Sequence, residues 1–202
     1  MDAADTIAAV EEATTTERSR IGSDKALIAA TGANLEAGAI WAAAATREAG
    51  LHDVLEDWTT DDDTDGTVAD AFDRAATAAG NRAERIDAAP GDPDALSSHL
   101  DTVEGTAERV GAGLVAPALV LDRFYLQVVS FFINEADEGS ADVVRELRNE
   151  ASDLGPARDA LAALDGSGRE RAHEAAVEAV GVAYEEYASA LESMGLDPKP
   201  VC

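Results

Sequence analysis

Residues 114–136, LVAPALVLDRFYLQVVSFFINEA, decide the fold. Apolar residues fill this stretch, and Arg123, Gln127, Ser130 and Asn134 interrupt them at steps of four, three and four residues. A helical period lays those four along one narrow stripe, so the segment reads as a helix with a single polar seam and apolar flanks. Counted from Val110 to Ile133, about two dozen mostly apolar residues are also long enough to cross a bilayer. Asp122 and Arg123 stand in the middle of that span, where each charge costs about 2.5 to 3.5 kcal/mol on insertion, and Pro117 adds a backbone irregularity. The segment is therefore expected as the central helix of a soluble, all-α bundle, with no membrane contact.

Working outward, Gly and Pro punctuate periodic, Ala-rich segments, and no alternating strand pattern competes. Upstream, helices are expected over residues 3–19, 24–49, 67–88 and 94–109. Gly22 and Ser23 separate the first two, with Asp24 favourably placed at the positive end of the second. In that second helix Leu27, Thr31, Leu35, Gly38, Ala42 and Ala45 form one narrow face of small residues. Gly50 permits a bend before Leu51, Leu55 and Trp58 continue the stripe. Val68, Phe72, Ala75, Ala79 and Ile86 are expected inward, and Pro90, Gly91 and Pro93 end their helix. Downstream, helices are expected over 141–153, 157–164 and 169–194. A tail at 195–202, with two prolines, is expected to lie extended. The spacing predicts one helical domain over 1–202, with its core at about 23–194.

The charge is extreme: 41 Asp and Glu oppose 15 Lys and Arg across 202 residues, for a net charge of -26. Only Lys25 and Lys199 are lysines. At ordinary salt such repulsion opposes compaction, whereas at molar salt the Debye length shrinks to about 3 Å and screens it. The composition points to the cytoplasm of a salt-loving cell. A nucleic-acid partner needs a basic face to displace counterions, and the arginines here are scattered among acids, so no direct nucleic-acid contact is expected. The N-terminus MDAADTIAAVEEA lacks a basic region, apolar stretch and cleavage site, so no export is expected. Cys202, the single cysteine, excludes an internal disulfide. It reads as part of a passive tail or as a reactive thiol, its terminal carboxylate disfavouring the thiolate.

Few residues carry recognisable chemistry. Asp61, Asp63, Asp65 and Gly66 reproduce the opening of a calcium-binding loop, but Phe72 stands where the closing bidentate Glu belongs, so the stretch reads as a solvated turn. Glu170 and His173 form a Glu-x-x-His on one helix face, readable as an exposed ion pair or as half of a carboxylate-bridged metal site. His52, His99 and His173 are isolated in sequence and suggest no catalytic triad. Trp41, Trp58, Phe72, Phe124, Tyr125, Phe131, Phe132, Tyr184 and Tyr187 read as core or helix-interface aromatics, with a pocket between helices as the alternative.

The stretch KALIAATGANLEAGAIW, from Lys25, resembles the first core helix of ferritin-like, rubrerythrin-type proteins, and the match puts their metal-binding Glu at Glu36. AFDRAATAAGNRAERI, from Ala71, resembles their second helix, but the family's Glu-x-x-His falls on Ala79 and Arg82, so both ligands are absent. The central helix offers only Asp122, and Glu170 with His173 takes the place of the final pair. The closing stretch from Ala179 resembles proteins of halophilic archaea, some described as transcription antitermination proteins. The resemblance implies a ferritin-like four-helix bundle with added short helices and degenerate ligands. Its leading functional expectation is a metal-free protein that pairs with itself or with another protein. The rival is a di-iron oxidoreductase using Glu36, Asp122, Glu170 and His173, with iron as cofactor. A third is a regulator reaching the transcription machinery through protein contacts.

Overall fold

The computed structural model describes residues 1–59 and 66–199; Asp61, Asp63 and Asp65 of the acidic turn, and Cys202, lie outside them. Among the described residues every regular element is helical, as the sequence predicts. The helices are α1 (Ala3–Ala13), α2 (Thr15–Ile21), α3 (Ala26–Thr31), α4 (Ala37–Thr59), α5 (Gly66–Arg85), α6 (Ala95–Leu100), α7 (Thr106–Arg109), α8 (Ala116–Asn134), α9 (Glu138–Ala151), α10 (Gly155–Ala163) and α11 (Gly166–Ser193). A π-helical segment, Val110–Val115, joins α7 to α8.

Three expected helices are broken, each by a local cause. The helix expected over 3–19 divides at Thr14, whose hydroxyl donates back to the Val10 carbonyl at 2.7 Å while Thr15 donates to that of Glu11 at 2.9 Å. Such back-bonding competes with helix continuation. The helix expected over 24–49 ends at Gly32 (φ 59°), followed by Ala33 (φ 67°), and restarts at Ala37. Gly32 enters the left-handed region at little cost, closing α3 with a left-handed turn. Leu35 and Gly38 are consequently exposed, and the single small-residue face from Leu27 to Ala45 does not exist. The helix expected over 94–109 becomes α6 and α7 around Gly105 (φ 87°). Gly50, conversely, produces no break: α4 runs through it, and its missing side chain admits Ser97, whose Oγ would lie 2.5 Å from a Cβ there.

Helices α4 and α5 lie antiparallel, with Trp58 against Phe72 where α4 ends and α5 begins (ring centroids 5.4 Å apart) and Glu48 against Arg82 further along. Helices α8 and α9 pair likewise, tied by Asp122 and Arg148. Helix α8 lies antiparallel beside α4. Trp41 meets Phe132 at 5.1 Å at one end, Glu48 meets Tyr125 in the middle, and Gly113 lies under Trp58 at the other. Arg85 bridges α5 to Glu150 of α9. Between the two pairs, residues 86–115 return along the molecule through α6, α7 and the π-helical segment. The long α11 packs against α1, α2, α3, α6, α7, the π-helical segment and α8, and one continuous apolar core links these elements except α7.

The helical run Thr106–Asn134 is long and apolar enough to cross a membrane, and 67% of its most apolar window is buried inside this fold. It serves as a core helix. Met1 and the segment 197–199 are held by side chains of the bundle. Lys25 Nζ donates to the carbonyls of Asp197 and Lys199, both at 2.8 Å, Tyr187 OH donates to that of Pro198 at 3.2 Å, and Arg169 Nε donates to that of Met1 at 2.8 Å.

Candidate functional site

At the centre of the α4, α5 and α8 contacts, three polar side chains are sealed in the core: Glu48 at 0% exposure, Arg82 at 4% and Tyr125 at 0%. Each occupies an inward position of an amphipathic helix. Glu48 lies between Ala44 and Leu51 on the buried face of α4, and Arg82 lies between Ala79 and Ile86 at the end of that of α5. Tyr125 OH donates to Glu48 Oε1 at 2.7 Å, and Arg82 Nη2 stands 2.8 Å from Glu48 Oε2. That second approach satisfies an ion pair by distance but misses hydrogen-bond alignment, leaving Glu48 Oε2 and Arg82 Nε without hydrogen-bond partners. Burial drives the Tyr125 hydroxyl well above the ordinary tyrosine range, and the Glu48 charge adds to the effect. The phenol is therefore a fixed proton donor. A buried carboxylate and a guanidinium need one another, because removing either leaves an uncompensated charge in the core.

Beside this centre lies a cleft of about 330 Å³ between α3, α4, α8, α11 and the segment leading into α6. Its floor includes Val120, Phe124 and Leu96. The Arg47 guanidinium lies 4.4 Å from the Phe124 ring centroid, and its Nη1 donates to the Ala43 carbonyl at 3.0 Å. Asp94 Oδ2 stands 3.9 Å from Arg47 Nε. The other polar groups are largely spent on structure. Asp94 caps α6 by accepting from Ser97 N at 2.8 Å, Glu186 accepts from Ala95 N at 3.0 Å, and Thr46 Oγ1 accepts from Gly91 N at 2.7 Å. The cleft thus fastens the segment before α6 to α4 and α11. It presents an apolar floor and one stacked cation, and among the described residues no nucleophile beside a base lines it.

The residues proposed from the sequence as a metal set are dispersed. Glu36 is exposed in the bend before α4. Asp122 is half-buried and engaged, its Oδ1 accepting from Arg148 Nε at 2.9 Å. Glu170 is exposed on α11, with His173 half-buried one turn further along. Among the described residues no three His, Cys, Asp or Glu side chains form a group able to hold a metal ion. His52 is likewise taken up, its Nδ1 lying 3.0 Å from the Ala76 carbonyl.

The Glu48, Arg82 and Tyr125 cluster was not among the sequence candidates, although a signal for it exists. Ile40, Ala44, Leu51 and Leu55 set the buried stripe of α4, and Glu48 falls on it. Phe72, Ala76, Ala79 and Ile86 do the same for Arg82 on α5. One opposite charge on each of two facing apolar stripes is the pattern that locates the pair. No protein-family model, curated protein or solved structure matches this chain.

Proposed function

We propose that this chain is a non-catalytic, ferritin-like helical bundle of a salt-rich cytoplasm, acting through protein contact, whose centre holds an ion pair where such bundles hold metal. The buried pairing of Arg82 with Glu48 carries this reading. A guanidinium has no lone pair to ligate a metal, and its fixed charge opposes a second cation beside it. Arg82 also stands where the resemblance puts the His of a Glu-x-x-His. Two antiparallel helix pairs joined by one long crossover are the connectivity of ferritin-like folds, and α4/α5 and α8/α9 fit that order. For the contact role, Leu35 and Ile133 are exposed large apolar side chains at the end where Trp41 meets Phe132.

The reading is tested on protein isolated in molar KCl with ferrous iron supplied. The expected content is less than about one metal ion per chain, and retention of about two would replace this reading with the di-iron oxidoreductase. In sedimentation under the same salt, Leu35→Glu with Ile133→Glu should lose association while keeping the helical circular dichroism of the wild type. Unchanged association in that variant would remove this surface from the proposal.

A further inference from the structure

The cleft of about 330 Å³ beside the central cluster contains a carboxylate that the fold leaves half used. Glu186 on α11 is half-buried, and its Oε1 is fixed by accepting from Ala95 N at 3.0 Å. Its second oxygen has no hydrogen-bond partner among the described residues and, unlike Glu48 Oε2, is not sealed from solvent. Four other buried or half-buried carboxylates face guanidinium groups: Glu48 at 2.8 Å, Asp94 at 3.9 Å, Glu108 at 3.0 Å and Asp122 at 2.8 Å. Glu186 faces none within that reach among the described residues, and the one guanidinium lining the cleft, that of Arg47, is the partner of Asp94. Asp92, at the exposed rim, adds a third carboxylate against that single cation. The rest of the lining is largely apolar. Val120, Phe124 and Leu96 form its floor, and Ala29, Ala30 and Ala43 keep it open because their side chains stop at Cβ.

We propose that this cleft binds a small primary amine with an apolar body, its ammonium on Glu186 and its body over Val120 and Phe124. Concave, mostly apolar sites of roughly 300 to 1,000 Å³ with a few fixed polar groups are the usual form of small-molecule sites, and the cleft falls at the lower end. A carboxylate held against apolar surface is incompletely solvated, so a cation that also donates a hydrogen bond is bound more strongly there than in open water. An ammonium supplies both the charge and the donors. A hydrated potassium ion gains nothing from the apolar floor. An anionic ligand would meet Asp92 and Glu186 with only Arg47, already paired, to receive it.

The experiment titrates the wild type at neutral pH, in about 1 M KCl, with three probes of one shape: phenethylamine, 3-phenylpropionate and phenylalanine. A partly enclosed pair is screened less than an exposed one at that salt. Phenethylamine should give saturable shifts in the protein's NMR spectrum, with nuclear Overhauser contacts from its ring to Phe124 and Val120, and should bind at least about tenfold more tightly than the other two. Glu186→Gln keeps an oxygen to accept from Ala95 N but loses the charge. It should weaken phenethylamine about tenfold or more with the helical circular dichroism unchanged, and Ala30→Leu, which fills the cleft, should abolish binding. Tighter binding of 3-phenylpropionate would assign the cleft to Arg47 and overturn the proposal. Equal binding of all three, contacts to other residues, or no saturable shift would overturn it too. Should a variant fail to fold, the order of the three probes and the ring contacts in the wild type decide the matter.

Discussion

Tyr125 is held as a phenol by its surroundings, and the sign of that effect can be measured. Its proton affinity is raised in the folded state, first by burial and then by Glu48. Below pH about 10 the hydroxyl is protonated in folded and unfolded chains alike, so it imposes no pH dependence on stability. Above that value only the unfolded chain releases the proton readily. Stability should then fall as pH rises, by up to about 1.4 kcal/mol per pH unit. Tyr125→Phe should flatten most of this alkaline slope in denaturant titrations between about pH 9 and 11. Tyr187, raised more weakly and also by burial, contributes to the same slope. The substitution should also cost about 1 to 3 kcal/mol at neutral pH, because Glu48 Oε1 loses its donor. An unchanged slope would mean that the hydroxyl reaches solvent. The sequence placed Tyr125 correctly among core aromatics. It could not show that Glu48 and Arg82 sit opposite it, because a charge on an apolar stripe looks like an error of register until its partner is seen on another helix.

At the scale of elements, the π-helical segment packs closely against α11 on one side and α4 on another. A Cβ at Gly111 would lie 1.8 Å from the Ala172 carbonyl oxygen, and one at Gly113 would lie 2.4 Å from the Trp58 ring. The first obstacle is backbone and cannot rotate away; the second belongs to a side chain with some freedom. Gly111→Ala should therefore destabilise by at least about 3 kcal/mol, toward the upper end for overpacking, and Gly113→Ala by less. Urea midpoints that reverse this order would contradict the packing. The central helix, the helix after the acidic turn and the three helices of the last third were legible from periodicity and punctuation. The breaks at Thr14, Gly32 and Gly105 were not. Each depends on a choice between continuing a helix and bonding locally, and an Ala-rich composition does not announce it. In the candidate metal set, spacing was judged along single helices, and Asp122 is engaged by Arg148 from the neighbouring one.

For the whole molecule, a net charge of -26 surrounds an apolar core that draws on all the long helices. Exposed pairs such as Arg74 with Asp159 and Arg145 with Asp142 return little, since pairs of this kind contribute about 0 to 1 kcal/mol and are screened by salt. Repulsion among the remaining acids is long-ranged at about 0.1 M salt, where the Debye length is about 10 Å, and short-ranged at about 1 M. The melting temperature should thus climb steeply with KCl over that interval, whereas a flat profile would show that the acids are neutralised within the fold. Lysine is nearly absent from this surface, which gives the grip of Lys25 on the Asp197 and Lys199 carbonyls a practical meaning. The chain offers amine-directed reagents only its α-amino group and two side chains, and one of those is withdrawn whenever the tail is docked. The reactivity of Lys25 thereby becomes a built-in gauge of whether the segment 197–199 is seated.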